Sequence, residues 1–113
     1  MRNFDTGATR DSEEGKNDYE GFYSPLVVKR FGDYMTLHRK QADGQLRSAD
    51  NWQKGIPREA YMKSLWRHFL DLWMQHRGYT GTDTLENTLC AILFNVQGYL
   101  YEILQHDKLQ DNK

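Results

Sequence analysis

The chain has 113 residues, with 15 Lys and Arg against 16 Asp and Glu and a formal net charge of −1. That length suits one domain, and the near balance of charge gives neither a broad basic footprint for duplex nucleic acid nor charge-driven binding to an anionic membrane. No apolar run approaches the roughly 18 residues of a membrane span, the polar stretch Met1–Lys16 does not read as a secretory signal, and the single Cys90 permits no internal disulfide, which favours a cytoplasmic protein.

Residues 1–23 read as an extended, turn-rich arm, interrupted by Gly7, Gly15 and Gly21 and dominated by charged side chains. Tyr19, Phe22 and Tyr23 give its second half apolar anchors, so that half is expected to dock. Residues 24–113 form the helical domain. Ser24-Pro25 starts the first helix, near 24–40, because serine caps well and proline suits the first helical position. Residues 41–56 form a long connection without period and rich in turn formers, in which Trp52 argues against disorder. The second helix is predicted over 57–77, opened by Pro57 and closed before Gly78.

The third helix is predicted over about 82–105. Its main stripe is Leu85, Leu89, Ile92, Val96, Leu100 and Ile103, and Cys90, Phe94 and Tyr101 lie on the far side. A helix apolar on both faces must bury both, which predicts self-association. The expected fold is all-α, a small bundle of three main helices with an extended N-terminal arm.

On the second helix His68 and Asp71 lie one turn apart at the border of an apolar face that includes Leu65, Trp66, Phe69, Leu72 and Trp73. Such a pair either bonds to itself at the edge of a core or holds a metal or proton-transfer group. Asp83 and Glu86 read as a capping box at the start of the third helix or as a carboxylate pair for a metal. The two readings divide if Asp83 caps while Glu86 faces inward toward a cation shared with Asp71 and His68. Oxygen-rich ligands of this kind suit Mg²⁺ or Mn²⁺ better than Zn²⁺. Asn95 interrupts the third helix's apolar run and either fixes register or orients a ligand or metal-bound water.

Asp50-Asn51-Trp52-Gln53-Lys54-Gly55 combines a ring, an amide and a cation, the set a purine nucleotide needs: stacking, base-edge hydrogen bonds and positive charge. The alternative is an aromatic loop anchor with polar neighbours. Arg39 and Lys40 add charge or complement the first helix's dipole.

Phe4-Asp5-Thr6-Gly7-Ala8-Thr9-Arg10-Asp11, Gly15-Lys16-Asn17-Asp18-Tyr19-Glu20-Gly21-Phe22 and Ser24-Pro25 resemble the opening of the small dATP/dGTP diphosphohydrolases of phages and prophages. The resemblance continues through Asp50–Pro57, Trp66–Asp71 and Leu89–Leu100, nearly the whole chain. That family is similar in turn to the MazG-like all-α nucleoside triphosphate pyrophosphohydrolases, whose members bind Mg²⁺ with carboxylates from two helices and form dimers or tetramers. The superfamily pattern is Glu-Glu-x-x-Glu on one helix and Glu-x-x-Asp on the next. Here His68-x-x-Asp71 and Asp83-x-x-Glu86 stand instead.

The resemblance implies Mg²⁺-dependent hydrolysis of purine deoxynucleoside triphosphates to monophosphate and pyrophosphate, in the host cytoplasm if phage-encoded. Asp71 and Glu86 would hold the metal, with His68 as ligand or base and Asp83 as a further ligand. Lys16, Lys54 and Arg67 are candidate phosphate contacts, and Asn51 and Trp52 candidate base contacts. The arm, with Asp18 and Glu20, would close the site. The alternative function is a non-catalytic binding protein that sequesters a nucleotide or blocks a host protein.

Overall fold

The computed structural model describes residues 2–111. Met1 and residues 112–113, the outer ends of the predicted arm and helical domain, lie outside the described residues. The fold is all-α: α1 (Tyr19–Phe22), α2 (Pro25–Leu37), α3 (Arg58–His76) and α4 (Leu85–Asp111) follow a two-stranded ribbon, β1 (Arg2–Asn3) and β2 (Thr9–Arg10). The strands pair antiparallel, Arg2 opposite Arg10. Among the described residues no helix is long and apolar enough to cross a membrane.

The expected starts and stops have visible causes. Ser24 Oγ accepts from the Val27 amide at 3.4 Å and Pro25 opens α2, which closes at Leu37, three residues short of expectation. Beyond it the His38 ring bonds the Tyr34 carbonyl at 2.9 Å, and Lys40 bridges to Leu46 across a tight turn. Gly44 adopts a φ of +84° there, a left-handed conformation that a side chain would disfavour. Gly78, at φ +89°, ends α3 as the sequence predicts.

The start of α4 differs from the predicted capping box. Thr84 caps it: its Oγ1 accepts from the Asn87 amide at 3.2 Å. Thr82 is drawn away instead, donating from its amide (3.1 Å) and its hydroxyl to the Asp71 carboxylate. Asp71 therefore staples the α3–α4 turn. Glu86 is not the reciprocal half of a box, because it pairs with Arg30.

The α3–α4 hairpin holds the core. Tyr61 on α3 and Thr88, Cys90, Ala91 and Asn95 on α4 are buried. Thr88, Ala91, Asn95 and Gly98 recur at helical spacing, and these small side chains let α3 approach closely. A Cβ on Gly98 would stand 2.3 Å from the Tyr61 ring. Gln75 Nε2 donates to Thr88 Oγ1 at 3.0 Å and ties the helices at their joined end.

Phe94 and Tyr101, expected to seek a second copy, are covered within the chain. Phe94 packs edge-on to Tyr61 at 5.9 Å, and Tyr101 packs edge-on to Trp52 at 4.8 Å. The arm does the opposite of its expectation. Tyr19, Phe22 and Tyr23 are all more than 60% exposed, so its aromatic half does not dock on the helices of the chain. Its order is local: Arg2 pairs with Glu13, and Asp18 caps α1 by accepting from the Gly21 amide at 3.0 Å.

Candidate nucleotide-binding cleft

The long connection between α2 and α3 is laid onto α4. Residues Asn51–Lys54 form a single 3₁₀ turn, ended by Gly55 at φ +115°. The Ile56 amide donates to Glu102 Oε1 at 3.0 Å, and the Tyr101 hydroxyl donates to the Gln53 carbonyl at 3.4 Å. At the other end of the connection, Arg39 and Arg47 exchange backbone contacts. The Arg47 amide donates to the Arg39 carbonyl, and Arg39 Nε donates to the Arg47 carbonyl, each at 2.8 Å. One tie thus holds the loop on α4, and the other holds it just beyond the C-terminal end of α2.

Between them lies a cleft of about 440 Å³. Tyr34, His38, Trp52 and Phe94 supply aromatic walls; Arg39, Lys40 and Arg47 supply cations; Ser48 and Asn51 supply short polar groups. A few polar groups on a mainly apolar wall, in a volume of this order, are usual for small-molecule sites. Burial pushes the Tyr34 hydroxyl above its ordinary pKa, with the charges of Cys90 and Asp83 acting in the same direction. Tyr34 is therefore a neutral hydrogen-bonding group at physiological pH. Its ring lies 4.0 Å from that of His38.

Of the residues singled out in the sequence, Asn51, Trp52, Arg39 and Lys40 line this cleft. Lys54, Lys16, Asp18 and Glu20 are exposed and do not line it. Arg67 lies on the outer face of α3 beside Trp66 and Leu70. Asn95 is buried, but its Nδ2 donates to the Ala91 carbonyl one turn back at 2.7 Å, so it serves its own helix. Arg47, Tyr34 and Phe94 were not foreseen. Arg47 has no local signal, because only the Lys40–Leu46 turn brings it back to Arg39.

Among the described residues the proposed metal ligands do not form one group. Asp71 is held by Thr82, and Glu86 accepts from Arg30 Nε at 2.6 Å. Arg30 also donates to Asn87 Oδ1 at 2.7 Å, and the Glu86 bond raises the guanidinium pKa. Asp83 accepts from Asn87 Nδ2 at 3.0 Å and from the Thr84 amide at 2.7 Å. These two bonds hold its carboxyl below the ordinary value, with His38 and His68 contributing through their charge. No His68–Asp71 bond forms. Among the described residues, no three His, Cys, Asp or Glu side chains form a group that could hold a metal ion. The carboxylates are spent on local bonds at the start of α4, a turn staple and an inter-helix ion pair, and do not fit the two-helix Mg²⁺ set. No family model, curated protein or solved structure matches the chain.

Proposed function

We propose that this protein binds a purine deoxynucleoside triphosphate in the α2–loop cleft and hydrolyses it to the monophosphate and pyrophosphate. One observation supports the binding half above all: a cleft of about 440 Å³ in which aromatic rings and three cations line the same space. A purine needs an aromatic face and base-edge hydrogen bonds, for which Trp52 and Asn51 are the candidates. A triphosphate needs concentrated positive charge, for which Arg39, Lys40 and Arg47 replace Lys16, Lys54 and Arg67. In hydrolysis, water attacks the α-phosphorus and the bond to the bridging oxygen breaks, releasing pyrophosphate. Cations beside the leaving group stabilise its growing charge.

The reaction itself, the use of Mg²⁺ or Mn²⁺, assembly as a homodimer or homotetramer and a cytoplasmic site of action rest on the resemblance to the dATP/dGTP diphosphohydrolases. The second reading is nucleotide sequestration without turnover. It is favoured by the commitment of Asp71 to Thr82 and of Glu86 to Arg30. Incubation of the protein with Mg²⁺ and each deoxynucleoside triphosphate separates the two. Pyrophosphate from dATP or dGTP supports the enzyme; calorimetric binding without pyrophosphate supports sequestration. Absence of both refutes the nucleotide reading and leaves a host protein as the partner to seek.

A further inference from the structure

His38 is the first residue beyond α2 and lines the cleft beside Arg39 and Lys40. Its Nδ1 stands 2.9 Å from the Tyr34 carbonyl, one turn back. A carbonyl can only accept, so Nδ1 carries the proton and Nε2 keeps the lone pair of the neutral ring. The Tyr34 ring lies against the imidazole, with centroids 4.0 Å apart and planes 31° from parallel. Tautomer and ring plane are therefore both set from within α2. A base whose second nitrogen is held by another group is the arrangement that proton-abstracting histidines use. The residue is exposed, so the ring can be reached from the cleft.

We infer that His38 Nε2 is the general base of this cleft and takes a proton from the water that attacks the α-phosphorus. The inference rests on the hydrolysis reading and names the group that reading lacks. Among the described residues no Asp or Glu lines the cleft. Arg39, Lys40 and Arg47 are protonated at neutral pH and have no lone pair to offer. The Tyr34 hydroxyl is held neutral. Imidazole alone among the lining groups combines a free lone pair with basicity suited to neutral pH.

The step balances without a further reactant. The water oxygen bonds to the α-phosphorus as its proton passes to Nε2. The bond from that phosphorus to the bridging oxygen breaks, and pyrophosphate leaves with the electron pair. Release of the proton to solvent restores the neutral ring. Asp83, at the start of α4, interacts with His38 through charge, as it does with His68 of α3, and favours the imidazolium that forms. Arg39, Lys40 and Arg47 oppose that charge until the triphosphate offsets their own.

The test measures pyrophosphate release from dATP and dGTP, and calorimetric affinity for each, with wild type, His38→Asn and His38→Ala. General-base loss costs about 10²–10⁴-fold in rate. His38→Asn should lose that much in kcat while its affinity stays close to wild type, and added imidazole should restore turnover to His38→Ala. Should the variants fail to fold by circular dichroism, diethyl pyrocarbonate on the wild-type protein decides. Inactivation should follow modification of His38, as mapped by mass spectrometry, rather than of His68, His76 or His106; dATP should protect and hydroxylamine reverse it. Turnover retained in folded His38→Asn, or in wild type modified at His38, overturns the base and leaves the hydrolysis reading standing. Parallel loss of affinity and turnover makes His38 a binding contact and also overturns it. A wild type that releases no pyrophosphate refutes the hydrolysis reading itself, and the base with it.

Discussion

Trp52→Ala removes the largest apolar wall of the cleft that comes from the loop. In the folded chain the indole packs edge-on to Tyr101 at 4.8 Å and borders the space shared with Tyr34 and His38. Stacking of a base on an aromatic ring contributes about 1–3 kcal/mol. With about 1.4 kcal/mol per tenfold change, the variant should bind dATP and dGTP roughly five- to 140-fold more weakly. The loop itself should stay in place, because Ile56–Glu102 and Arg47–Arg39 hold its two ends independently of the indole. Trp52→Phe, which keeps a ring, should lose less. Isothermal calorimetry at fixed ionic strength measures the change, and circular dichroism confirms that α3 and α4 persist. Unchanged affinity in a folded Trp52→Ala protein would show that the indole is only a packing anchor and that the base lies elsewhere.

Three other outcomes are expected. Asp71→Asn should destabilise the chain by about 1–3 kcal/mol in urea unfolding, because it weakens charge-assisted bonds to Thr82; no loss would mean that the α3–α4 turn does not depend on the staple. Gly98→Ala should cost about 1–3 kcal/mol by overpacking against Tyr61, measured as a lower Tm, and an unchanged or raised Tm would show that the ring yields freely. Asp83 has a lowered carboxyl pKa in the folded chain, so its contribution is present above the unfolded value of about 3.9 and disappears as pH falls through the lower folded value. Asp83→Asn should therefore narrow the stability gap to wild type only as pH drops below about 4; a gap that closes instead between pH 6 and 8 would assign the dependence to a histidine.

Periodicity and caps made the three helices legible, because Ser24-Pro25, Pro57, Gly78 and the leucine spacing of α4 each act locally. Non-local commitments were harder to read. Asp83-x-x-Glu86 has the spacing of a capping box, yet Thr84 caps the helix, while Asp83 bonds Thr84 and Asn87 and Arg30 captures Glu86. That capture joins residues far apart in sequence. The same limit explains the cleft. Trp52 and Asn51 stood out as a local cluster, whereas Arg47 and Phe94 join them only once the loop is tied to α2 and α4. The expectation that α4 needs a partner on its Phe94–Tyr101 side fails for the same reason, since Tyr61 and Trp52 arrive from α3 and the loop to cover it. The aromatic residues of the arm show that an apolar side chain signals a wish for burial and does not name the surface that supplies it.

Photo-crosslinking with 8-azido-dATP, followed by mass spectrometry of the labelled peptides, tests the central claim most directly. Adducts competed away by dATP are predicted within residues 34–56, on or beside Trp52 and Tyr34. Competed labelling confined to the arm around Lys16 or to α3 around Arg67, or no competed labelling at all, would contradict a nucleotide site in this cleft.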